Sequence, residues 1–277
     1  MSSTPAPLDH KLTQLKLGRI REVYPSWIQH AEQQQMGYGE FLDELVNEEL
    51  LSRHENQIRR KLKLAGFPFA ATLEQFNFTL RPELKRAVIM RFFDSSFVEK
   101  AGALLLIGAS GLGKTHLAIA LGTQMVQLGY TVRFLTAQQL ANSVLAAATR
   151  AEVDRVLQPL ISCDLLILDE FGYLSIDPRL GPALYEVVSG RHLRHATVIT
   201  SNKSLTTWGE VIGGDSALMM AILDRLLQHG EVFYLRGPSY RLRGKEGMAL
   251  PTPPAIAATP LPADPPAPAR TGDGDVG

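Results

Sequence analysis

The stretch Gly108-Ala109-Ser110-Gly111-Leu112-Gly113-Lys114-Thr115 fits the pattern G-x-x-x-x-G-K-[ST], and its reading decides the fold. Before it, Ala103-Leu104-Leu105-Leu106-Ile107 is wholly apolar, as expected of a strand covered on both faces; after it, His116 to Leu128 reads as a helix. Strand, glycine-rich loop and helix in that order make a phosphate loop. Its glycines let backbone N–H groups turn inward around β- and γ-phosphates, and the positive end of the helix adds to the field. Lys114 supplies a mobile cation and Thr115 offers a hydroxyl to Mg²⁺. Gly108, Ala109, Ser110, Gly111, Leu112, Gly113, Lys114, Thr115 and His116 are therefore the expected nucleotide-binding residues, with ATP and Mg²⁺ the expected cofactors.

Outward from the loop, strand-like and helix-like stretches alternate: a strand at Thr131 to Thr136, a helix at Ala137 to Thr149, a strand at Leu165 to Leu168, a helix at Leu180 to Leu193, a strand at Thr197 to Thr200, a helix at Ala217 to Gln228 and a strand at Val232 to Leu235. The alternation predicts an α/β domain with a mostly parallel five-stranded sheet and helices on both faces. Upstream, apolar residues at helical spacing from Leu8 to Leu64 predict a small module of two or three helices. Gly66-Phe67-Pro68-Phe69 breaks that pattern, and Pro82 to Phe93 reads as one more helix. The expected domains are 1–66, a helical module for DNA or a partner; 67–247, the nucleotide-binding domain; and 248–277, a Pro- and Ala-rich tail without the apolar periodicity needed to fold.

The chain has 28 Lys and Arg against 28 Asp and Glu, so net charge gives no general case for nucleic acid and any such surface must come from local segregation. A single cysteine, Cys163, excludes an intramolecular disulfide, fits a reducing compartment and reads as buried filler beside a strand. With neither a signal pattern nor an apolar stretch long enough to span a bilayer, a cytoplasmic protein is expected and no membrane partner.

Further signals carry chemistry. Asp164-Leu165-Leu166-Ile167-Leu168-Asp169-Glu170 is an apolar strand ending in two carboxylates: Asp169 would hold Mg²⁺ and Glu170 would orient and deprotonate an attacking water. Transfer to a small metabolite needs no water-activating glutamate, so the pair favours hydrolysis over a kinase reaction. Thr197-Val198-Ile199-Thr200-Ser201-Asn202 ends level with it, and an amide at Asn202 could position the water or read the γ-phosphate. In Ile222-Leu223-Asp224-Arg225-Leu226-Leu227 a charged pair interrupts an apolar helix; it is either a salt bridge within the helix or an Arg225 that reaches a neighbouring subunit's nucleotide as an arginine finger, which would require a homo-oligomer. Arg59, Arg60, Lys61 and Lys63 close a helix that begins with acids, an order the helix dipole favours in any case and DNA phosphates could use. Arg191, Arg194 and Lys203, with Arg236, Arg241, Arg243 and Lys245 beside Tyr234 and Tyr240, form a second set that could follow a nucleic-acid backbone.

Taken together, GASGLGKTHLA, LLILDEFGY, TSNKS, TTWGEVIGG, AILDRLL and RGPSYRLR resemble the IstB-like helper ATPases of bacterial insertion sequences, which are AAA+ proteins related to helicase loaders of the DnaC type. The resemblance runs from about Leu8 to Arg243. It implies phosphate and Mg²⁺ binding by Lys114 and Thr115, a Walker B pair at Asp169 and Glu170, a sensor at Asn202 and a finger at Arg225. It also implies ATP-dependent assembly on duplex DNA and a transposase encoded by the same element as partner. Two departures stand out: Ala109-Ser110 replace the paired prolines of many relatives, and little folded chain is expected after the last strand, so a truncated or absent lid is expected and Arg241 or Arg243 would have to replace a lid arginine. The rival readings are a replicative helicase loader, a nucleotide-gated adaptor that binds DNA with little turnover, and a small-molecule kinase.

Overall fold

The computed structural model describes residues 6–172, 179–211 and 215–240, all within one compact unit. Arg241, Arg243, Lys245, the tail and any lid lie outside the described residues.

Three helices come first: α1 (Ala6–Gln14), α2 (Gly18–Gln34) and α3 (Tyr38–Ala65). Leu12, Ile20, Tyr24 and Leu45 form their shared core. The start of α2 is held by the buried carboxylate of Glu49, whose Oε2 accepts from the backbone N–H groups of Arg19 (2.8 Å) and Ile20 (3.1 Å), while Oε1 accepts from Arg53 Nε (2.8 Å). At its far end α3 packs on the sheet domain: Ile58, Leu62 and Ala65 join that core, and Arg133 Nη1 donates to Leu64 O at 2.9 Å. Gly66 ends the helix in the left-handed region at φ +77°.

Where a helix is expected from Pro82, the chain forms α4 (Arg86–Met90), a 3₁₀ turn (Arg91–Phe93) and the short α5 (Ser96–Glu99). Residues 81–85 are drawn out of a helix by tertiary bonds, since Arg81 binds three carbonyls and Glu83 accepts from Arg236 N at 2.8 Å.

The sheet domain then alternates: β1 (Ala103–Gly108), α6 (Lys114–Gln127), β2 (Val132–Thr136), α7 (Ala137–Ala146), α8 (Arg150–Ser162), β3 (Leu165–Phe171), α9 (Leu180–Arg191), β4 (Ala196–Ser201), α10 (Trp208–Val211), α11 (Ser216–Gln228) and β5 (Gly230–Leu235). The sequence reading runs α7 on to Thr149 and gives no separate α8. The chain instead breaks at Ala147, and Thr149 opens a new helix as its N-cap, its hydroxyl accepting from Glu152 N at 3.3 Å. All five strands are parallel, in the order β2-β3-β4-β1-β5. Because successive strand residues point to opposite faces, Leu105, Ile107, Leu166 and Leu168 enter a core under α7, α8, α9 and α11, and Leu104, Leu106, Leu165 and Ile167 enter a second core under α6 and residues 65–98. Cys163 is buried at the edge of the first core, and burial pushes its thiol pKa up, as expected of inert filler.

Candidate functional site

β4 lies between β1 and β3, so the loops leaving these three strands meet at one carboxyl edge. A cleft there is lined by Ser110 to His116, by Glu170, Thr200 and Asn202, and by Phe69, Gln75, Phe76, Asn77, Leu80, Arg81 and Tyr240.

The phosphate loop runs from β1 into the first turn of α6. Lys114 is buried and its Nζ donates to the carbonyls of Gly108 (2.7 Å) and Ala109 (2.8 Å). Gly111 sits at φ +78°, and an added Cβ would lie 2.0 Å from Ser239 Oγ; the turn after β5 thus rests directly on the loop. Tyr240 N donates to Gly111 O at 2.8 Å. His116 hydrogen bonds through Nε2 to Thr72 O at 3.1 Å and stands against the rings of Phe69 and Phe76.

Thr115 Oγ1 donates to Asp169, 2.9 Å from Oδ1 and 3.0 Å from Oδ2. A hydroxyl and a carboxylate in contact are the oxygen donors a hard divalent cation takes, and this pair fits Mg²⁺. Between Leu168↔Ile199 and Phe171↔Ser201 the β3–β4 register shifts, so Asp169 and Glu170 together face Thr200, as in a β-bulge. Thr200 is buried and serves both: its hydroxyl donates to Asp169 Oδ1 and accepts from Glu170 N at 3.1 Å. The bulge puts Glu170 at φ +57°, a strained conformation for a residue with a side chain, and leaves its exposed carboxylate on the cleft. Asn202 Oδ1 is buried with no hydrogen-bond partner among the described residues, although its residue lines the same cleft. Such an orphan acceptor costs free energy unless a ligand or water satisfies it, which suits a group that reads a bound molecule.

The residues expected to bind phosphate, hold Mg²⁺ and activate water are therefore together. Arg225 is not with them. It lines a small cavity with Gly102, Ala103, Thr197 and His229, at the amino ends of the strands, the opposite edge from its own phosphate loop. Its partners are Tyr185 and the Ala221 carbonyl rather than Asp224: Nη2 donates to Tyr185 Oη at 2.9 Å, Nη1 to Ala221 O at 2.8 Å, and the guanidinium lies 4.8 Å from the Tyr185 ring centre. The expected basic surface divides. Arg191 is withdrawn from it: the residue is 1% exposed, its guanidinium donating to Thr197 Oγ1 (3.1 Å), Leu160 O (2.5 Å) and Cys163 O (2.8 Å). A cation this deep binds carbonyls that close β3 to β4 and cannot reach DNA. Arg194 and Lys203 are exposed at opposite ends of β4. Arg59, Arg60 and Lys63 are exposed on α3, whereas Lys61 is half-buried and donates to Gly129 O.

Sequence reasoning missed the rest of the cleft's lining. Phe76, Asn77 and Arg81 carry no motif, and Tyr240, grouped above with a nucleic-acid surface, stands at the cleft. Thr200 was legible, since a hydroxyl inside a buried strand two residues before Asn202 needs a polar partner.

The profile described as IstB-like ATP binding protein matches residues 10–247. The chain belongs to the IstB-like family. A Geobacillus stearothermophilus protein named for ATP binding and insertion sequence IS5376 is 36% identical over 231 residues, 83% of this chain and 92% of that protein. A Pseudomonas aeruginosa counterpart named for IS21 is 36% identical over 238 residues, 86% of this chain and 89% of that protein. Among solved structures, DnaI superposes with a TM-score of 0.51 at 18% identity, covering 64% of this chain and 94% of DnaI. AMPPCP-bound DnaA from Aquifex aeolicus superposes with a TM-score of 0.53 at 20% identity, covering 64% of this chain and 54% of DnaA. These likenesses concern the fold: a P-loop α/β architecture with a parallel five-stranded sheet, preceded in this chain by a helical region.

Proposed function

We propose that this IstB-like protein hydrolyses ATP with Mg²⁺, assembles as a homo-oligomer on duplex DNA, and uses that cycle to control how the transposase of its insertion sequence engages target DNA. The observation that carries the reading is the Thr115–Asp169–Thr200–Glu170 network, with the unsatisfied Asn202 Oδ1 beside it. Mg²⁺, held by Thr115 and Asp169, would neutralise charge on the phosphates. The backbone N–H groups of the loop and Lys114 bind the phosphates. Glu170, aimed into the cleft by the bulge, takes the proton of the attacking water, and Asn202 orients that water or the γ-phosphate. The aromatic wall of Phe69 and Phe76 offers the base a face to pack on. Arg225, on the far edge of its own sheet, can meet a nucleotide in a neighbouring subunit, which supports a finger acting in trans and a turnover that depends on assembly.

DNA and transposase as partners are supported by the insertion-sequence family and by the exposed Arg59, Arg60 and Lys63 on α3 and Arg194 and Lys203 on the sheet domain. The test is ATP turnover over a series of protein concentrations, with and without duplex DNA. Turnover per subunit rising with both supports the reading; turnover indifferent to both overturns the assembly on DNA.

A further inference from the structure

Arg81 is 3% exposed, lines the cleft and makes no ion pair with a carboxylate among the described residues. Its guanidinium binds three backbone carbonyls from three segments: Nε donates to Leu112 O in the phosphate loop at 3.0 Å, Nη1 to Leu80 O at 2.6 Å, and Nη2 to Pro238 O in the turn after β5 at 2.9 Å. Burying a cation without a counter-charge is costly, so a protein keeps one where it does something hydrophobic residues cannot.

Peptide geometry shows what that is. Every peptide bond of the described chain is trans, so the C=O of one residue and the N–H of the next point in opposite directions. Arg81 holds the Leu112 carbonyl, which turns the Gly113 N–H to the side away from Arg81. Tyr240 N does the same one residue earlier: it holds the Gly111 carbonyl at 2.8 Å and so turns the Leu112 N–H. Two consecutive N–H donors of the loop are thereby fixed in direction by contacts to their preceding carbonyls. Both anchors depend on the same turn, since Arg81 also grips Pro238 and Tyr240 follows directly on Ser239, packed against Gly111.

We infer that Arg81 is a positioning residue for nucleotide binding: with the Pro238–Tyr240 turn, it orients the Leu112 and Gly113 N–H groups toward the β-phosphate. Its charge remains to be balanced by the phosphates when a nucleotide is bound, so the anion both uses and stabilises the clamp. The inference rests on the reading of the cleft as a nucleotide site.

The test compares ADP and AMP binding by calorimetry for the full-length protein and its Arg81→Met and Arg81→Lys variants, with thermal melting in parallel. ADP places a β-phosphate on the loop and AMP does not. The Kd for ADP should rise in Arg81→Met while that for AMP barely moves, so that the preference for ADP shrinks about tenfold, the equivalent of about 1.4 kcal/mol. Arg81→Lys keeps the charge but loses the fork, and should fall between the two. A general loss of structure would raise both constants together. Should Arg81→Met not fold, the ADP preference of Arg81→Lys decides. An unchanged preference in a folded variant overturns the positioning role. If the unaltered protein binds no ADP at all, the nucleotide reading itself fails and takes this inference with it.

Discussion

Thr200→Val removes one hydroxyl from the interior of β4 and nearly conserves its shape. That hydroxyl donates to Asp169 Oδ1 and accepts from Glu170 N at 3.1 Å. Asp169 keeps the Thr115 donor, so it loses one hydrogen bond to a charged group, about 1.5–3 kcal/mol. Glu170 N–H loses its acceptor inside the bulge, about 1–3 kcal/mol if no water replaces it, and the exposure of Glu170 favours the lower end. Together the unfolding free energy should fall by about 2.5–4 kcal/mol, read from urea melts. The functional cost is separate: Glu170 is held at φ +57° partly by this bond, and a base that drifts off its water loses about 10²-fold in turnover at saturating ATP. Nucleotide affinity should change little, because the phosphate loop is untouched, and Thr200→Ser, which restores the hydroxyl, should recover most of both losses. A valine variant that melts within about 0.5 kcal/mol of the parent and turns over at the parental rate would refute the reasoning.

Three further outcomes follow from the geometry. Burial alone would push the Glu49 carboxyl up, but Arg53 and the Ile20 and Arg19 N–H groups outweigh it and hold its pKa below the ordinary 4.5; a lowered folded value stabilises above the unfolded one, so that stability disappears as pH falls from about 4.5 through the folded value. Glu49→Gln should flatten that acid limb in helical-module melts, and an unchanged limb would contradict it. Gly111→Ala should weaken ADP binding about tenfold or more, since alanine at φ +78° costs about 1–2 kcal/mol and its Cβ must displace Ser239; calorimetry giving the parental Kd would count against the seating of that turn. Arg225→Ala should bind ATP normally yet hydrolyse poorly, and mixing it with Lys114→Ala subunits should restore turnover; a mixture no more active than its components would remove the finger from Arg225.

The sheet and the three strand-end motifs were legible because each rests on local chemistry: an apolar run long enough for a buried strand, then glycines, carboxylates or an amide where such a strand stops. Helix α8 is legible as well, since Thr149 caps it and Val153, Val156, Leu157 and Leu160 recur at helical spacing. Arg191 misled for a physical reason. A run of Arg191, His192, Arg194 and His195 reads as a solvated face, and nothing local shows that the first of them is consumed by carbonyls from residues about thirty positions earlier in the chain. Arg81 and Tyr240 were illegible for the same cause: they meet the phosphate loop through contacts 31 and about 129 residues apart in sequence, formed only once β1 and β5 lie side by side.

The central claim is that this cleft hydrolyses ATP with Glu170 as the base. Measuring ATP binding and ATP turnover side by side for the protein and its Glu170→Gln variant tests it most directly. Gln keeps the shape of the side chain and removes its basicity, so binding should persist while turnover falls by about 10²-fold or more. A Gln variant that hydrolyses ATP at the parental rate, or a parent that binds ATP and never hydrolyses it under any assembly condition, would contradict the account.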